Sequence, residues 1–386
     1  MTTFDEIHIQ GYRRLADVRL PLRPLNVVVG SGGSGKSSLL EAFHLLVASA
    51  SGDLQAAFYG INVLQAILTR FPDPAVEPAE ELQLSLRQTT TNSGVLSYSL
   101  TLRPAGNMFW ISRESFTQTK TRPQRSVIRH FTASNDRIRC LRTRTKERVA
   151  PDWGHDDRES VLFQIPPEYR LVHGFRKSLS SCVCCRSMDV GPHSPVRRAQ
   201  YACKARLPGP NGEHLGACLH WMRESSPDRY EVIMDTLKVA FPSFEGLIFN
   251  VLPEELLVVL WKEKGISTAF QMDQLSEGSL RFLWLLTLLY SPGLPAVTLL
   301  EQPEISLSPR VLPLLVDVLR EASRRTQLIV ITNSERLVRC LRPDELVVAT
   351  AEDGLAKFTR ADELELENWL AEYTLDQIWS MGRLHS

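Results

Sequence analysis

Apolar and polar positions alternate with different periods along the chain, and the changes of period mark its elements. Phe4–Gln10 and Ala16–Leu20 alternate and read as two short strands about the turn Gly11-Tyr12-Arg13-Arg14. Leu25–Val29 is apolar apart from Asn26, the pattern of a strand buried on both faces. In Lys36–Ala50 the apolar residues Leu39, Leu40, Phe43, Leu46 and Val47 recur at helical spacing. Gly60–Arg70 reads as a helix and Phe71–Pro78 as a proline-rich linker. Glu81–Arg87, Val95–Leu102 and Asn107–Ser112 then return to period two, as expected of an antiparallel sheet.

Residues 150–206 are rich in Pro, Ser and Cys and show no clear period. Helical spacing resumes in Pro210–Arg223 and Asp228–Ala240, and Glu245–Val251 and Leu256–Trp261 read as strands. Gly278–Tyr290 is almost uniformly apolar, which predicts a buried helix. Ala296–Leu300 and Leu328–Thr332 are short apolar runs separated by a helical stretch, Pro309–Ala322, the alternation of a parallel βαβ unit. Leu346–Thr350 adds a strand and Asp362–Tyr373 a terminal helix. The expected fold class is α/β, with a mixed or parallel sheet core, an antiparallel β subdomain and a helical, partly irregular insertion. Three parts follow: 1–75, 76–206 and 207–386.

Composition narrows the classes. The 386 residues are 43% hydrophobic and 23% charged with a formal net charge of zero, which fits a globular chain and argues against one basic throughout. Met1–Gly11 carries Asp5, Glu6 and His8 and no apolar core, and Leu280–Tyr290 is too short to span a bilayer, so a cytoplasmic protein without a membrane partner is expected. Seven cysteines in that setting read as reduced thiols. Cys182, Cys184 and Cys185, with His193 and Cys203, offer zinc-ligand chemistry, but C-x-C-C departs from the usual paired spacing and packing roles are favoured. Charge is uneven only locally. Lys120–Arg148 holds ten basic residues against Asp136 and Glu147, and Arg142, Arg144, Lys146 and Arg148 would share one face of a strand. Such a stretch suits either an anionic partner such as DNA or a solvated, charge-protected sheet edge, the latter favoured because few aromatics interleave.

The string Val27–Leu40, VVVGSGGSGKSSLL, contains Gly30-x4-Gly35-Lys36-Ser37 between an apolar run and a helical one. That is the Walker A context. Backbone N–H groups from Gly30, Ser31, Gly32, Gly33, Ser34 and Gly35 through Ser38 are expected to cradle phosphates at a helix N-terminus. Lys36 would reach the β/γ-phosphates and Ser37 would ligate Mg²⁺, so the cofactors expected are ATP and Mg²⁺.

Three strings in the last third give this loop a partner. Leu275-Ser276-Glu277-Gly278-Ser279 precedes the buried helix, Ala296–Glu304 (AVTLLEQPE) follows it as an apolar strand with an acidic end, and Leu328–Ser334 (LIVITNS) ends another strand. In order and spacing these resemble the ABC-type ATPase heads of the RecF, SMC and OLD families, and the wider group of bacterial RecF-like AAA-type ATPases. The resemblance runs from Ile7 through the phosphate loop and resumes from about Leu207. It implies a P-loop NTPase head in which Ser276 and Gly278 bind the γ-phosphate of ATP held by a second subunit, hence a homodimer formed through an ATP sandwich. An N-cap built of common residue types is the plainer reading of LSEGS.

The chain departs from the family pattern at three places. Glu301 matches the residue that holds Mg²⁺, but Gln302 stands where a second carboxylate polarises the attacking water. An amide offers one neutral acceptor and two donors in place of an anion. Loss of a general base costs about 10²–10⁴ in rate. Asn333 occupies the usual place of a switch histidine, and Ser308 stands where Leu-His-Pro is common. Arg13 and Arg14 lie where related heads carry a basic residue near the phosphates, though surface arginines account for them equally well. The resulting expectation is an ATPase switch with slow turnover, acting with DNA or a partner effector in repair or phage defence by analogy. A non-hydrolysing nucleotide sensor is the alternative and a small-molecule kinase a third reading.

Overall fold

The structure, a computed structural model, describes residues 3–58, 64–105, 108–120, 126–134, 137–142, 147–364, 366, 369 and 372–382. The chain divides into two compact units: Met1–Cys182 with Pro343–Leu366 and Leu384–Ser386, and Val183–Arg342 with Glu367–Arg383.

In the first unit, β1 (Glu6–Tyr12) and β2 (Leu15–Pro21) form the hairpin expected from their alternation, and β3 (Leu25–Gly30) follows, buried throughout. Next come α1 (Lys36–Ser51), α2 (Leu54–Phe58), α3 (Leu64–Ile67), β4 (Leu82–Thr90), β5 (Gly94–Ala105) and β6 (Met108–Lys120). β7 (Ser126–Ser134), β8 (Arg137–Leu141) and β9 (Arg148–Val149) complete an eight-stranded antiparallel sheet of order β2-β1-β4-β5-β6-β7-β8-β9. Its strands bury alternate residues, among them Leu82, Leu84 and Leu86 of β4 and Leu96, Tyr98 and Leu100 of β5. Each such side chain stabilises the fold by about 1.5–3 kcal/mol on burial.

Two further helices, α4 (Val161–Gln164) and α5 (Arg170–Ser180), belong to this core. The Phe175 ring lies 5.5 Å from Phe4, 5.1 Å from Phe116 and 6.1 Å from Tyr98 between centroids. Beside it Glu114 of β6 is buried, its carboxylate accepting from Tyr98 Oη (3.0 Å), Ser160 Oγ (2.9 Å) and the Val161 and Leu162 N–H groups (2.8 and 3.0 Å). These bonds satisfy free donors at the start of α4. Burial raises the Glu114 pKa above the usual carboxylate range, and the bonds from Leu162, Val161, Ser160 and Tyr98 oppose that rise.

β3 pairs in parallel with β17 (Leu346–Glu352), which turns back through Asp353-Gly354 into β18 (Leu355–Arg360). Asn26, the one polar residue expected inside β3, accepts from the Arg360 guanidinium at 2.6 Å and exchanges bonds with the Arg23 backbone at 2.9 and 2.6 Å. Desolvation lowers the Arg360 pKa to about 10.

In the second unit, β10 (Val183–Cys185), β15 (Val297–Glu301) and β16 (Gln327–Ile331) lie parallel, in that order. β11 (Gln200–Tyr201), β12 (Phe244–Leu252), β13 (Leu256–Glu263) and β14 (Phe270–Gln271) form a separate antiparallel sheet. The helices are α6 (Leu215–Ser225), α7 (Pro227–Ala240), α8 (Glu277–Tyr290), α9 (Leu312–Ala322), α10 (Glu335–Val338) and α11 (Leu375–Ser380). α8 is the buried helix that its composition requires, with Leu280 and every residue from Phe282 to Tyr290 out of solvent.

Several sequence expectations change. Gly60–Arg70 is not one helix: α3 ends at Ile67 and Leu68 bridges to Tyr12, while 59–63 lie outside the described residues. The third strand runs to Lys120, because Ser112, Glu114, Phe116 and Gln118 turn in at period two although three of them are polar. Arg142 and Arg148 do not follow one another along a strand; they flank a hairpin in which Leu141 pairs with Arg148, and Arg144 and Lys146 lie outside the described residues. The 150–206 stretch contains α5 and β10. The described terminal helix is Leu375–Ser380, and much of Asp362–Tyr373 lies outside the described residues. Among the described residues no helix is long and apolar enough to cross a membrane.

Candidate nucleotide site

The phosphate loop belongs to the first unit, and Ser276, Gly278, Glu301, Gln302 and Asn333 to the second. β3 delivers Gly30 to the start of the loop, and α1 begins at Lys36, so the strand–loop–helix order needed for phosphate binding is present. Gly30 is required by close approach: a Cβ there would meet Ala349 O at 2.1 Å and Ser34 Oγ at 2.7 Å. Gly33 and Gly35 have φ of 79° and 93°, a left-handed backbone that side-chain-bearing residues adopt only with strain. Ser31, Gly32, Gly33 and Ser37 are exposed, whereas Ser34, Gly35, Lys36 and Ser38 are buried.

Lys36 folds over the loop. Its ammonium donates to Gly30 O (2.7 Å), Ser31 O (2.8 Å) and Ser34 Oγ (3.3 Å), and burial lowers its pKa. A cation already seated among loop oxygens, beside a glycine backbone that tolerates no Cβ at Gly30, fits a triphosphate cradle. The two neighbouring arginines separate in role. Arg13, with φ 50°, pairs with Glu41 at 3.1 Å, which also accepts from Tyr12 Oη at 2.9 Å. Arg14 lies against the loop, its guanidinium 3.8 Å from the position of a Cβ on Gly33.

In the second unit Ser276 is the N-cap of α8, its Oγ accepting from Ser279 N at 3.1 Å. The plainer N-cap reading therefore holds locally, and the residue is exposed at a helix N-terminus. Gly278 is needed for a different reason. A Cβ there would lie 2.5 Å from Ser306 O, and Ser306 Oγ donates to Glu277 Oε2 at 3.1 Å. The LSEGS segment is thus seated on the turn that follows β15. Sequence reasoning missed Arg197, which fixes the same segment from its other side by donating to Val190 O (2.8 Å), Asp273 O (2.9 Å) and Leu275 O (3.0 Å).

Glu301 ends β15 opposite Ile331 of β16. Gln302 leaves the strand with φ 48°, a left-handed conformation uncommon outside glycine and typical of functional turns. Its N–H still donates to Ile331 O at 2.7 Å, so the ladder extends one residue past the strand. Asn333 is exposed and follows the fully buried Thr332. Glu304 was also missed: it stands between these two turns, and Thr332 Oγ1 donates to it. Cys184 and Cys185 sit on β10, where burial pushes their thiols up to about 11 and about 12. Among the described residues no group of three or more His, Cys, Asp or Glu is arranged to hold a metal ion.

Residues 4–92 match the family described as "AAA ATPase domain", and residues 219–339 match "AAA domain, putative AbiEii toxin, Type IV TA system". Among solved structures the chain is similar to an SMC head bound to the C-terminal winged-helix domain of ScpA, with 13% identity, TM-score 0.59 and coverage of 96% of this chain and 99% of that one. An Smc head with an extended coiled coil from Pyrococcus furiosus, bound to the ScpA C-terminal domain, gives 12% identity, TM-score 0.56 and coverage of 99% and 100%. A third head, from Pyrococcus yayanosii, gives 10%, 0.54, 96% and 99%. No curated relative matches the sequence. The phosphate loop and the parallel strands define a P-loop NTPase fold, and the two matched stretches are similar to AAA-type ATPase domains. More particularly, the fold over nearly the whole chain is that of the SMC head domains.

Proposed function

We propose that this head binds Mg-ATP and pairs with a second copy across it, as an ATP-gated switch with slow hydrolysis. The phosphate loop carries the reading: a glycine turn shaped for phosphate, with Lys36 and Arg14 both at its backbone. Gly30–Ser38 would hold the triphosphate and the Ser37 hydroxyl the Mg²⁺, which supplies charge neutralisation at the β/γ-phosphates, and Glu301 is the carboxylate that the resemblance assigns to Mg²⁺. Ser276, exposed at the start of α8, would meet the γ-phosphate of the partner's ATP. Gln302 removes a carboxylate from the place of the water-polarising residue, which favours holding ATP over splitting it.

The partner is proposed to be polyanionic, such as DNA. The support is a basin of about 990 Å³ at the β7–β9 end of the large sheet, lined by Lys120, Arg129, Arg142, Arg148 and Arg170 with Glu168 as its acid. In a chain of zero net charge such a cluster gives a local positive field.

Phosphate release at saturating Mg-ATP, measured for the parent and for Gln302→Glu, tests the switch. Turnover in the variant about 10²-fold or more above the parent supports an otherwise competent site. No turnover in either, with ATP still bound, supports the non-hydrolysing sensor instead.

A further inference from the structure

An antiparallel sheet with one face in solvent is ordinarily apolar inside and polar outside, and the β12–β13 hairpin departs from that rule. Leu257, Val259 and Trp261 of β13 are buried, and a Cβ on Gly216 of α6 would meet Val259 Cγ2 at 2.9 Å, so a helix closes that face. Phe249 of β12 pairs with Val259 and shares the face, its ring centroid 5.6 Å from His220 and 4.7 Å from the Arg223 guanidinium. The opposite face is apolar too. Ile248 pairs with Leu260 and Leu252 with Leu256, Val258 lies between those two leucines, and Tyr201 of β11 sits beside Leu256. Ile248, Leu252 and Tyr201 are 38%, 45% and 71% exposed.

The edge beside this face is open as well. In the order β11-β13-β12 the last strand has a neighbour on one side alone among the described residues, so alternate N–H and C=O groups of β12 point away from the sheet. Natural sheets blunt such edges with charge, proline or a bulge. In β12 the bulge lies between Phe244 and Gly246, and the strand's one charge, Glu245, is there too, held by Lys262 at 2.9 Å. From Gly246 to Leu252, GLIFNVL, the edge carries none of these devices. The hairpin closes through Pro253-Glu254-Glu255. Both glutamates are exposed, have φ of 67° and 58°, and form no ion pair among the described residues. Asn and Gly take that backbone at lower cost, so two carboxylates stand there against local preference. Strain of this kind clusters at functional turns. The Ala202 N–H donates to Glu255 O at 2.7 Å and holds the tip in place.

We propose that the β12 edge docks a partner protein, which adds one extended strand antiparallel to β12, uncharged and aliphatic, with Lys or Arg just before it. Antiparallel pairing puts the N-terminal end of that strand at Leu252, where its cation meets Glu254 and Glu255. Main-chain bonds complete the edge, and alternate side chains extend the apolar row of Ile248 and Leu252. A second copy of β12 fits less well: at that end it presents Glu245, already paired with Lys262, and no free cation. The surface lies within the second unit and its use requires no nucleotide.

The test is fluorescence anisotropy of a labelled peptide, two lysines followed by alternating valine and threonine over the length of β12, titrated with the full chain. Saturable binding is expected, with a loss of about tenfold or more when the peptide nitrogens on its pairing edge are methylated. Exchanging the lysines for glutamates should weaken binding about fivefold. That preference should vanish in Glu254→Asn/Glu255→Gly, which keeps the turn and removes its charge. Ile248→Lys, at an exposed position, should lower affinity about tenfold with an unchanged circular dichroism spectrum. Where that variant fails to fold, the methylated peptide on the parent chain decides. No binding of the lysine peptide, equal binding of its methylated form, or a folded Ile248→Lys that binds like the parent overturns the proposal. Equal binding of the lysine and glutamate peptides overturns the partner's assigned charge. A doubled mass without nucleotide that Ile248→Lys abolishes gives the edge to a second copy and overturns it as well.

Discussion

Replacing Gly278 with alanine sets two opposed effects against each other inside the first turn of α8. Intrinsic helix propensity favours alanine over glycine by about 1 kcal/mol. Against this, the new Cβ would stand 2.5 Å from Ser306 O, well inside ordinary van der Waals contact. The obstacle is a backbone carbonyl and cannot swing aside. Ser306 itself sits at φ 63° and is tied to Glu277 by a 3.1 Å hydrogen bond, which leaves the turn little freedom to yield. Overpacking of this kind costs about 1–3 kcal/mol, and with a backbone carbonyl as the obstacle the upper part of that range applies, so the steric effect wins and Gly278→Ala is destabilising by up to about 2 kcal/mol. In a unit of this size that lowers the melting temperature by up to about 8 °C, measurable by circular dichroism. A Gly278→Ala variant that melts higher than the parent would refute the reasoning, since propensity alone would then have decided the outcome.

Glu114→Ala leaves the Tyr98 and Ser160 hydroxyls and two α4 N–H groups without their acceptor and should destabilise by about 3–5 kcal/mol, read as a shift in the urea midpoint; a loss under about 1 kcal/mol would contradict the buried cap. Of the seven cysteines Cys203 is the exposed one, so a disulfide reagent under native conditions should modify it first, checked by peptide mass spectrometry; first reaction at buried Cys140, Cys185 or Cys218 would contradict the packing described.

The parts that were readable from the sequence are those set by local chemistry. β3, the phosphate loop and α1 are contiguous, and apolar runs and glycines mark them without reference to anything distant. α8 and the β15–α9–β16 unit are likewise written in apolar runs of the right length. β10 was hidden because it has only three residues and depends on pairing with β15, more than a hundred positions away. α5 did carry a signal, Val172, Phe175 and Leu179 at helical spacing, masked by Gly174 and the surrounding serines. β18 was missed although Asp353-Gly354 is a strong hairpin signal; both residues have positive φ, 48° and 79°, as a tight two-residue turn requires. Glu301, Gln302 and Asn333 were proposed from pattern, whereas the bond from Thr332 to Glu304, the bonds of Arg197 and the dependence of Gly278 on Ser306 arise from contacts between segments that no local spacing records.

ATP-gated pairing is tested most directly by the mass of the chain in light scattering, with and without saturating Mg-ATP. The expected result is a rise from the 43.6 kDa of a single chain to twice that value with ATP, absent with ADP and absent in Lys36→Ala. A mass that stays at one chain while calorimetry shows ATP bound would contradict the composite site.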